Sequence, residues 1–573
     1  MKSLTAFITI SFIWLNSFTA AQQIGQLLSN TDYDYAYNNS PNNQIEMVDL
    51  DNDGILDPVI INQYRNISTI TPRHIAIHYK VGNDWDSIRP FSIASGWPGL
   101  DYCKSGPLNG KFLAHCGSQI SVIDPTNWQY NTYQSSLAAI SSIAYLSDGA
   151  MLAITNSITD LNIYKSTDLG VTFNPYKMIG GGDPNVQNIS PLGVIYSSED
   201  GQNLSIITEA TAFDPLDLPI LYLYYSTNSG NSWAGKILGV TGAYGQVSNR
   251  NYAPLFTNFS QVSAVVDNNG VTHVAVNGYG FGVLPGSTDT TFVFPVLYWN
   301  SRDNDWIAIT DPIQEIGTDN AGVDIADVRA GNGIGNAYPT ISLTPDGEGV
   351  VVSWQSFEYS LVNPSGILYN IFPGDGSANS GQIVYTDLYI QYSINGGITW
   401  SDHTIKLPDS FPSMTEQYPI CWNEIEDIGF PFLFKAHYIY QYDAVPGVSI
   451  FNTTAPNQNG SSADGGWYYD NYLFEFTGVE ETNSIVSDYS LYQNYPNPFN
   501  PSTTIKFALP IKTNLSLSVY NTLGEKVAEI FNGELEEGYH EMMFNASGLS
   551  SGIYFYKIES ENFNSTKKLM LLK

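Results

Sequence analysis

Three stretches of this chain repeat one phrase: YKSTDLGVTF at 164–173, YYSTNSGNSW at 224–233 and QYSINGGITW at 391–400. In each, an apolar strand-like run leads to Ser, then Asp or Asn, then Gly, then Ser or Thr, and closes on an aromatic residue. Ser and Asx side chains bond nearby backbone groups in turns, and Gly supplies a positive φ. Each phrase therefore predicts a tight turn whose aromatic packs down as the next strand begins. The residues concerned are Ser166, Asp168, Gly170, Thr172 and Phe173; Ser226, Asn228, Gly230, Ser232 and Trp233; and Ser393, Asn395, Gly397, Thr399 and Trp400. A chain that reuses one turn is building one supersecondary unit in series.

Shorter forms of the turn end at Trp85, Trp128 and Trp306, which makes six turn-then-aromatic signals in order along the chain. Most are preceded by a second hairpin signal, as in LSDGAMLAI, SSEDGQNLSII, VDNNGVTHVAV and TPDGEGVVVSW. The unit reads as strand, Asx-Gly turn, strand, loop, strand, aromatic turn, strand: a four-stranded antiparallel sheet. Serial repetition of such sheets predicts an all-β protein with a β-propeller over residues 22–480. A seventh unit without the aromatic turn fits EQYPICWNEIEDIGFPFLFKAHYIY and GGWYYDNYLFEFTG, so seven blades are expected, with six as the alternative because the unit around Cys103 is short. Segment 24–37 is the candidate for the last strand that closes the ring, since closure removes sheet edges. The abundance of Tyr, Gly, Asn and Ser suits short strands and turns.

The repeated phrase resembles the Asp-box of bacterial neuraminidase repeats, found in sialidases and other propellers, although two of the three copies carry Asn at the Asp position. The resemblance implies a structural turn with no catalytic role. First and third turns of an antiparallel four-stranded sheet share one end, so one face of the disc carries tight turns. Long connections at 208–220, 241–258, 277–292, 310–338, 357–383 and 438–466 fall on the other face. Long connections are where binding residues concentrate.

On that loop face, aromatics stand beside amides and acids in WQSFEYS (354–360), HYIYQYD (437–443) and GYGFG (278–282), a combination suited to sugar rings or extended polymers. The candidate ligand-binding residues are Arg89, Arg250, Arg329, Trp354, Glu358 and Tyr440. The expected function is that of a non-catalytic glycan- or protein-binding module. The alternative is a sialidase-like or other glycoside hydrolase acting on extracellular glycans. The sialidase resemblance implies three arginines clamping a carboxylate, a Tyr–Glu nucleophile pair and an acid Asp. Arg89, Arg250 and Arg329 are the available trio, but the Phe/Tyr-Arg-Ile-Pro motif is missing and SIRPF at 87–91 replaces it poorly. No carboxylates are paired by their spacing, and no catalytic residue is assigned.

The sharpest chemical motif is MVDLDNDGILDPVI at 47–60. Asp49, Asp51, Asp53 and Asp57 occupy positions one, three, five and nine, with Gly54 at six and the Ile55 carbonyl at seven. That spacing wraps hard oxygen ligands around one Ca2+. Position twelve is Ile60 instead of Glu, so the loop is no EF-hand; it resembles the calcium loops of integrin-type propeller repeats. It is a first turn, so its calcium is expected to be structural.

Residues 1–21 read as a secretory signal peptide, with Lys2, an apolar run from Leu4 to Leu15 and small residues at Thr19, Ala20 and Ala21. No later run is long enough to span a bilayer. In an oxidising compartment Cys103 and Cys116 are candidates for a structural disulfide, and Cys421 for a buried free thiol. A net charge of −33 excludes a nucleic-acid partner, which would need clustered Lys and Arg.

After a linker at 481–490, residues 491–573 change character: LYQNYPNPFNPSTTIKFALP, LSVYNTLGEKVAEI, GLSSGIYFYKI and STKKLMLLK follow in order. The alternation predicts a small immunoglobulin-like β-sandwich. The stretch closely resembles the C-terminal sorting domain of type IX secretion substrates, which implies recognition by that machinery and delivery outside the cell or to its outer surface.

Overall fold

The computed structural model describes residues 25–30, 42–64, 74–310, 336–475 and 489–571, with breaks in several of their connections. The chain divides into two compact units, Met1–Gly478 and Val479–Lys573. Among the described residues every regular element is a strand except the short 3-10 turn Gly106–Leu108, and no helix is long and apolar enough to cross a membrane.

Seven antiparallel sheets follow one another through the described residues of the first unit. The first contains Ile45–Val48, Asp57–Tyr64, His74–Val81 and Asp84–Ile88. The second contains Gly99–Cys103, Lys111–Cys116, Gln119–Asp124 and Gln129–Gln134, and the third Ser142–Tyr145, Met151–Thr155, Leu161–Ser166 and Asn174–Ile179. The fourth is built on Gly193–Ser197, Leu204–Ala212, Pro219–Ser226 and Ala234–Ile237. The fifth is built on Val262–Val266, Thr272–Val283, Val296–Asn300 and Trp306–Ala308, and the sixth on Asn336–Leu343, Val350–Phe357, Thr386–Ser393 and Ile405–Lys406. In the seventh, Thr415–Cys421 and Glu426–Gly429 pair with successive parts of Leu433–Asp443, which pairs with Gly466–Glu475. Its fourth strand comes from the start of the chain: Gln26–Asn30 pairs antiparallel with Gly466–Tyr469.

Apolar cores between successive sheets establish a ring. Val59, Ile61 and Ile77 of the first sheet pack on Phe112 and Ala114 of the second. Leu152 and Ile163 of the third pack on Ile206 and Tyr222 of the fourth. Ile45 and Met47 of the first sheet meet Ile439, Trp467 and Tyr469 of the seventh, which closes the circle. In a sheet covered on both faces, both faces of a middle strand are buried. Thr386–Ser393 is buried at every position, whereas the outer strand Asn174–Ile179 is exposed at five of six. The arrangement is a β-propeller.

All six aromatic turns join a third strand to a fourth, and each aromatic packs on the sheet before its own. Trp85 meets Tyr469 of the seventh sheet edge-on at 5.6 Å, and Trp128 stacks on Tyr79 of the first at 3.4 Å. Phe173 joins the core shared with Ile120 of the second, and Trp233 the core shared with Leu152 of the third. The Trp306 indole donates to the Leu238 carbonyl at 2.9 Å, and Trp400 stands edge-on to Tyr298 of the fifth sheet at 4.9 Å. The repeated turn is therefore an interlock between neighbours. Six serve seven sheets because the last sheet takes its fourth strand from the chain's beginning and has no third turn to make.

The expected Cys103–Cys116 disulfide is not formed; both are buried free thiols, as is Cys421. The register explains it. Cys103 lies opposite Lys111 while Gly99 lies opposite His115, so the two cysteines stand at opposite ends of one hairpin. At about 3.3 Å per residue that separation is far beyond disulfide reach.

The second unit has two antiparallel sheets. Ser490–Leu491, Ser502–Leu509 and Gly538–Asn545 form one, and Lys526–Leu535, Thr513–Tyr520, Gly552–Ser560 and Asn564–Leu571 the other. They enclose a core of Phe499, Ile505, Phe507, Leu517, Val519, Tyr556, Ile558 and Leu569. This unit is a two-layer sandwich.

Candidate functional site

Two rims and an axis are available for function in the propeller, and they differ chemically. On the rim of first and third turns, the three full repeats share one hydrogen-bond pattern. Ser166 Oγ donates to the Asp168 carboxylate at 2.8 Å and accepts the Gly170 N–H at 3.0 Å, while the Asp168 carboxylate accepts the Thr172 N–H at 2.8 Å. Ser226, Asn228, Gly230 and Ser232 reproduce it, as do Ser393, Asn395, Gly397 and Thr399. Asn replaces Asp without loss because the pattern needs one acceptor oxygen and no charge. These side chains are spent on the turn itself.

The loop 49–56 lies on the same rim, between the first two strands of the first sheet. Asp49, Asp51 and Asp53 each bring a carboxylate oxygen within 4.8 Å of the others. Asn52 at φ 61° and Gly54 at φ 87° supply the left-handed bends that turn the chain around this point. Asp57 stands outside the group, accepting the Leu50 N–H at 3.3 Å, and burial raises its carboxyl pKa above the usual range. Three convergent carboxylates on a sharply bent loop are a donor set that fits a hard divalent cation.

The opposite rim carries added β-structure. Thr272–Val283 continues beyond its own sheet, where Arg250–Pro254 and Thr290–Val293 flank it. Val186–Gln187 likewise extends the fourth sheet beside Thr211–Ala212. Two hairpins are inserted between the second and third strands of the sixth sheet: Tyr359–Asn363 with Gly366–Tyr369, and Ile371–Pro373 with Gln382–Val384.

Among the described residues, the candidate ligand side chains are not gathered into one place. Arg89 is exposed, with its guanidinium 5.6 Å over the Tyr64 ring and its carbonyl accepting the Tyr130 hydroxyl at 3.3 Å. Arg250 begins the added strand Arg250–Pro254, while Arg329 and Glu358 lie outside the described residues. Trp354 is 0% exposed, in the core between the fifth and sixth sheets. Tyr440 is 3% exposed, stacked near Tyr468 at 6.2 Å, and its hydroxyl accepts the Gly25 N–H at 3.3 Å. Both rings are structural in position: WQSFEYS begins inside a second strand, where two neighbouring sheets cover both faces.

A feature with no sequence signal lies on the axis. A cavity of about 120 Å³ is lined by residues from all seven sheets, among them Glu46, Asp101, Lys104, Glu199, Asp267 and Glu424. The Lys104 ammonium donates to Glu424 at 2.7 Å and pairs with Glu199 at 3.3 Å, joining the second sheet to the fourth and seventh. Burial acts against that charge, but Glu424, Glu199 and Glu46 more than offset it and raise the lysine above its usual range. Glu46 accepts from the Asn43 carboxamide at 2.7 Å and the Tyr102 N–H at 3.2 Å. Burial, reinforced by Asp101, pushes the Glu46 carboxyl up to about 8, and burial pushes Asp101 up to about 7.

Among curated proteins none matches the chain. Solved structures with a similar course include a protein of unknown function from Dyadobacter fermentans, at 11% identity over 79% of this chain and 97% of that one, with TM-score 0.35. The β-propeller domain of the Trilobed protease from Pyrococcus furiosus is similar at 10% identity over 71% and 91%, with TM-score 0.32. The Penicillium chrysogenum α-L-arabinanase complexed with arabinobiose is similar at 12% identity over 80% and 98%, with TM-score 0.33. Residues 493–572 match the secretion system C-terminal sorting domain, so the sandwich is a type IX sorting tail and the protein is secreted or held at the outer cell surface.

Proposed function

We propose that this protein is an exported seven-bladed propeller that binds an extracellular glycan or protein through the rim opposite its interlocking turns, with an immunoglobulin-like tail as its delivery signal. The observation that carries the reading is the added β-structure on that rim: flanking strands on the fifth sheet and two inserted hairpins on the sixth. Ring closure does not require them, since the sixth sheet is complete without its inserted hairpins. Extra ordered structure at long connections is where recognition residues sit on a rigid scaffold. Arg250, at the start of one added strand, is a candidate ligand residue of this surface, with Arg89, Arg329 and Glu358 as further candidates. Screening the mature chain against glycan arrays and surface proteins, beside a panel of fluorogenic glycosides, tests the reading. Saturable binding without turnover supports it, and turnover of a glycoside replaces it with the hydrolase.

The loop from Asp49 to Asp57 we read as a structural Ca2+ site. Asp49, Asp51 and Asp53 are its core, with the Ile55 carbonyl as a further ligand; Asp57, outside the convergent group and bonded to the Leu50 N–H, would join only by turning its carboxylate toward the ion. The convergence of the first three carboxylates supports it.

A further inference from the structure

The first strands of successive sheets line the axis of the ring, and side-chain alternation decides what they present to it. In Ile45–Val48, Ile45 and Met47 join the core shared with the seventh sheet, so Glu46 points the other way. In Gly99–Cys103, Leu100 joins the core shared with the first sheet, and Asp101 alternates with it. The axial cavity of about 120 Å³ is faced by five carboxyl groups, those of Glu46, Asp101, Glu199, Asp267 and Glu424, and by one ammonium, that of Lys104. Its room is far above the roughly 10–15 Å³ that a single water needs.

The carboxyl oxygens are unequally committed. Glu199 has both engaged, by the Lys104 ammonium at 3.3 Å and the Asn268 carboxamide at 3.4 Å. Asp267 accepts the N–H groups of Asn269 at 2.9 Å and Val271 at 2.7 Å on Oδ1, and the Asn269 carboxamide at 3.5 Å on Oδ2. Glu424 spends Oε1 on Lys104 at 2.7 Å. Glu46, only 7% exposed, takes both of its hydrogen bonds on Oε1, from the Asn43 carboxamide at 2.7 Å and the Tyr102 N–H at 3.2 Å. Among the described residues nothing donates to Oε2 of Glu46, to Oε2 of Glu424 or to either oxygen of Asp101. Buried charged oxygens are paired or coordinate a metal. Asp101 and Glu424 are near enough for their charges to act on Glu46, so the uncommitted oxygens share one part of the cavity.

We propose that the axial cavity binds a hydrated divalent cation through the uncommitted oxygens of Glu46, Asp101 and Glu424. Carboxylate oxygens suit a hard cation. They are spaced more widely than those of the loop 49–56, since among the described residues only Asp49, Asp51 and Asp53 converge within 4.8 Å. The ion therefore keeps several of its waters, as Mg2+ does when a few carboxylates hold it. Lys104, held by Glu199 and Glu424, weakens the site by repulsion but leaves Glu46 and Asp101 to the ion. Bound there, the ion joins the first, second and seventh sheets across the axis, where no core between neighbours reaches.

The test counts bound Mn2+, standing in for Mg2+, by electron paramagnetic resonance on the mature full-length chain carrying Asp51→Asn/Asp53→Asn, so that the loop takes no ion. About one Mn2+ per chain is expected, displaced by Mg2+. Adding Glu46→Gln/Asp101→Asn, which keeps shape and removes charge, is expected to weaken binding by about tenfold or more. Glu46→Gln alone is the milder variant, expected to weaken it severalfold, and melting in chelator establishes that each chain is folded. Lys104→Met is expected to bind Mn2+ severalfold more tightly, because it removes the opposing charge. No Mn2+ bound until Lys104 is removed, which makes Lys104 itself the counter-charge, overturns the proposal. So does binding undiminished in the folded carboxyl variants.

Discussion

The phenol of Tyr298 donates to the carbonyl of Gly396 at 3.1 Å, so a side chain of the fifth sheet is bonded to the turn of the sixth. The indole of Trp400, from that same turn, stands against the Tyr298 ring. The bond and the ring contact are one instance of a rule that runs round the propeller: each aromatic turn grips the preceding sheet. Gly397 must be glycine there, since its φ is 90° and a Cβ would collide with the Tyr298 ring. The turn is repeated because the interface is repeated.

Tyr298→Phe keeps the ring contact and removes the hydroxyl from both Gly396 and His273, which is 2.7 Å away. The Gly396 carbonyl keeps the Arg302 guanidinium at 3.2 Å, but buried His273 loses its Nδ1 partner, and leaving one buried group unpaired costs about 1–3 kcal/mol. Urea denaturation is expected to show a lower midpoint with an unchanged slope, because the loss is one of stability alone.

Trp354→Ala is expected to destabilise the propeller by about 3–5 kcal/mol, as truncation of a fully buried aromatic does. Trp354→Phe is expected to fold and to bind ligand as wild type does, since the indole is walled off between two sheets. Calorimetry and a binding titration on the same preparations separate the two effects; selective loss of binding in a fully stable Trp354→Phe variant would place the ring at the ligand after all.

Gly25 sits where the chain enters the closing strand, and a Cβ there would lie 2.5 Å from the Tyr469 carbonyl oxygen and 3.1 Å from the Tyr440 hydroxyl. Gly25→Val is therefore expected to weaken ring closure by about 1–3 kcal/mol, the usual cost of overpacking. Exchange of the amides in Gly466–Tyr469 reports it, because Gln26–Asn30 pairs with them.

These positions also show what was legible in the linear chain. The Ser-Asx-Gly-aromatic phrase located three of the six third-to-fourth turns and its shorter Asx-to-Trp forms the other three, because turn chemistry is local and needs no partner. The closing strand within 24–37 was legible for a different reason: a ring of sheets has no free edge, so its last sheet needs a strand from the chain's beginning, and Gln26–Asn30 supplies it. Cys103 and Cys116 misled because closeness in sequence says nothing of register, and a hairpin carries near neighbours to opposite ends. Trp354 misled because alternating aromatic and amide residues read as half-exposed, while a middle strand between two sheets is covered on both faces. The Lys104 cluster had no signal, since Lys104 and Glu424 are 320 residues apart and meet only after the ring closes.

Removing calcium from the mature chain with a chelator is expected to lower its melting temperature, because a ligand bound only by the folded state stabilises it by mass action. Asp51→Asn/Asp53→Asn is expected to melt at the chelated value and to ignore further chelation. A wild-type melting temperature indifferent to calcium would remove the metal from the loop.

The central claim is that the rim with added strands meets the partner. Its most direct measurement is the affinity of the mature chain for its array-selected ligand, beside a variant in which residues 359–384 are replaced by a short Gly/Ser link. The account predicts a wild-type melting temperature and a binding constant weakened at least tenfold, about 1.4 kcal/mol. Undiminished affinity in the shortened variant would contradict it.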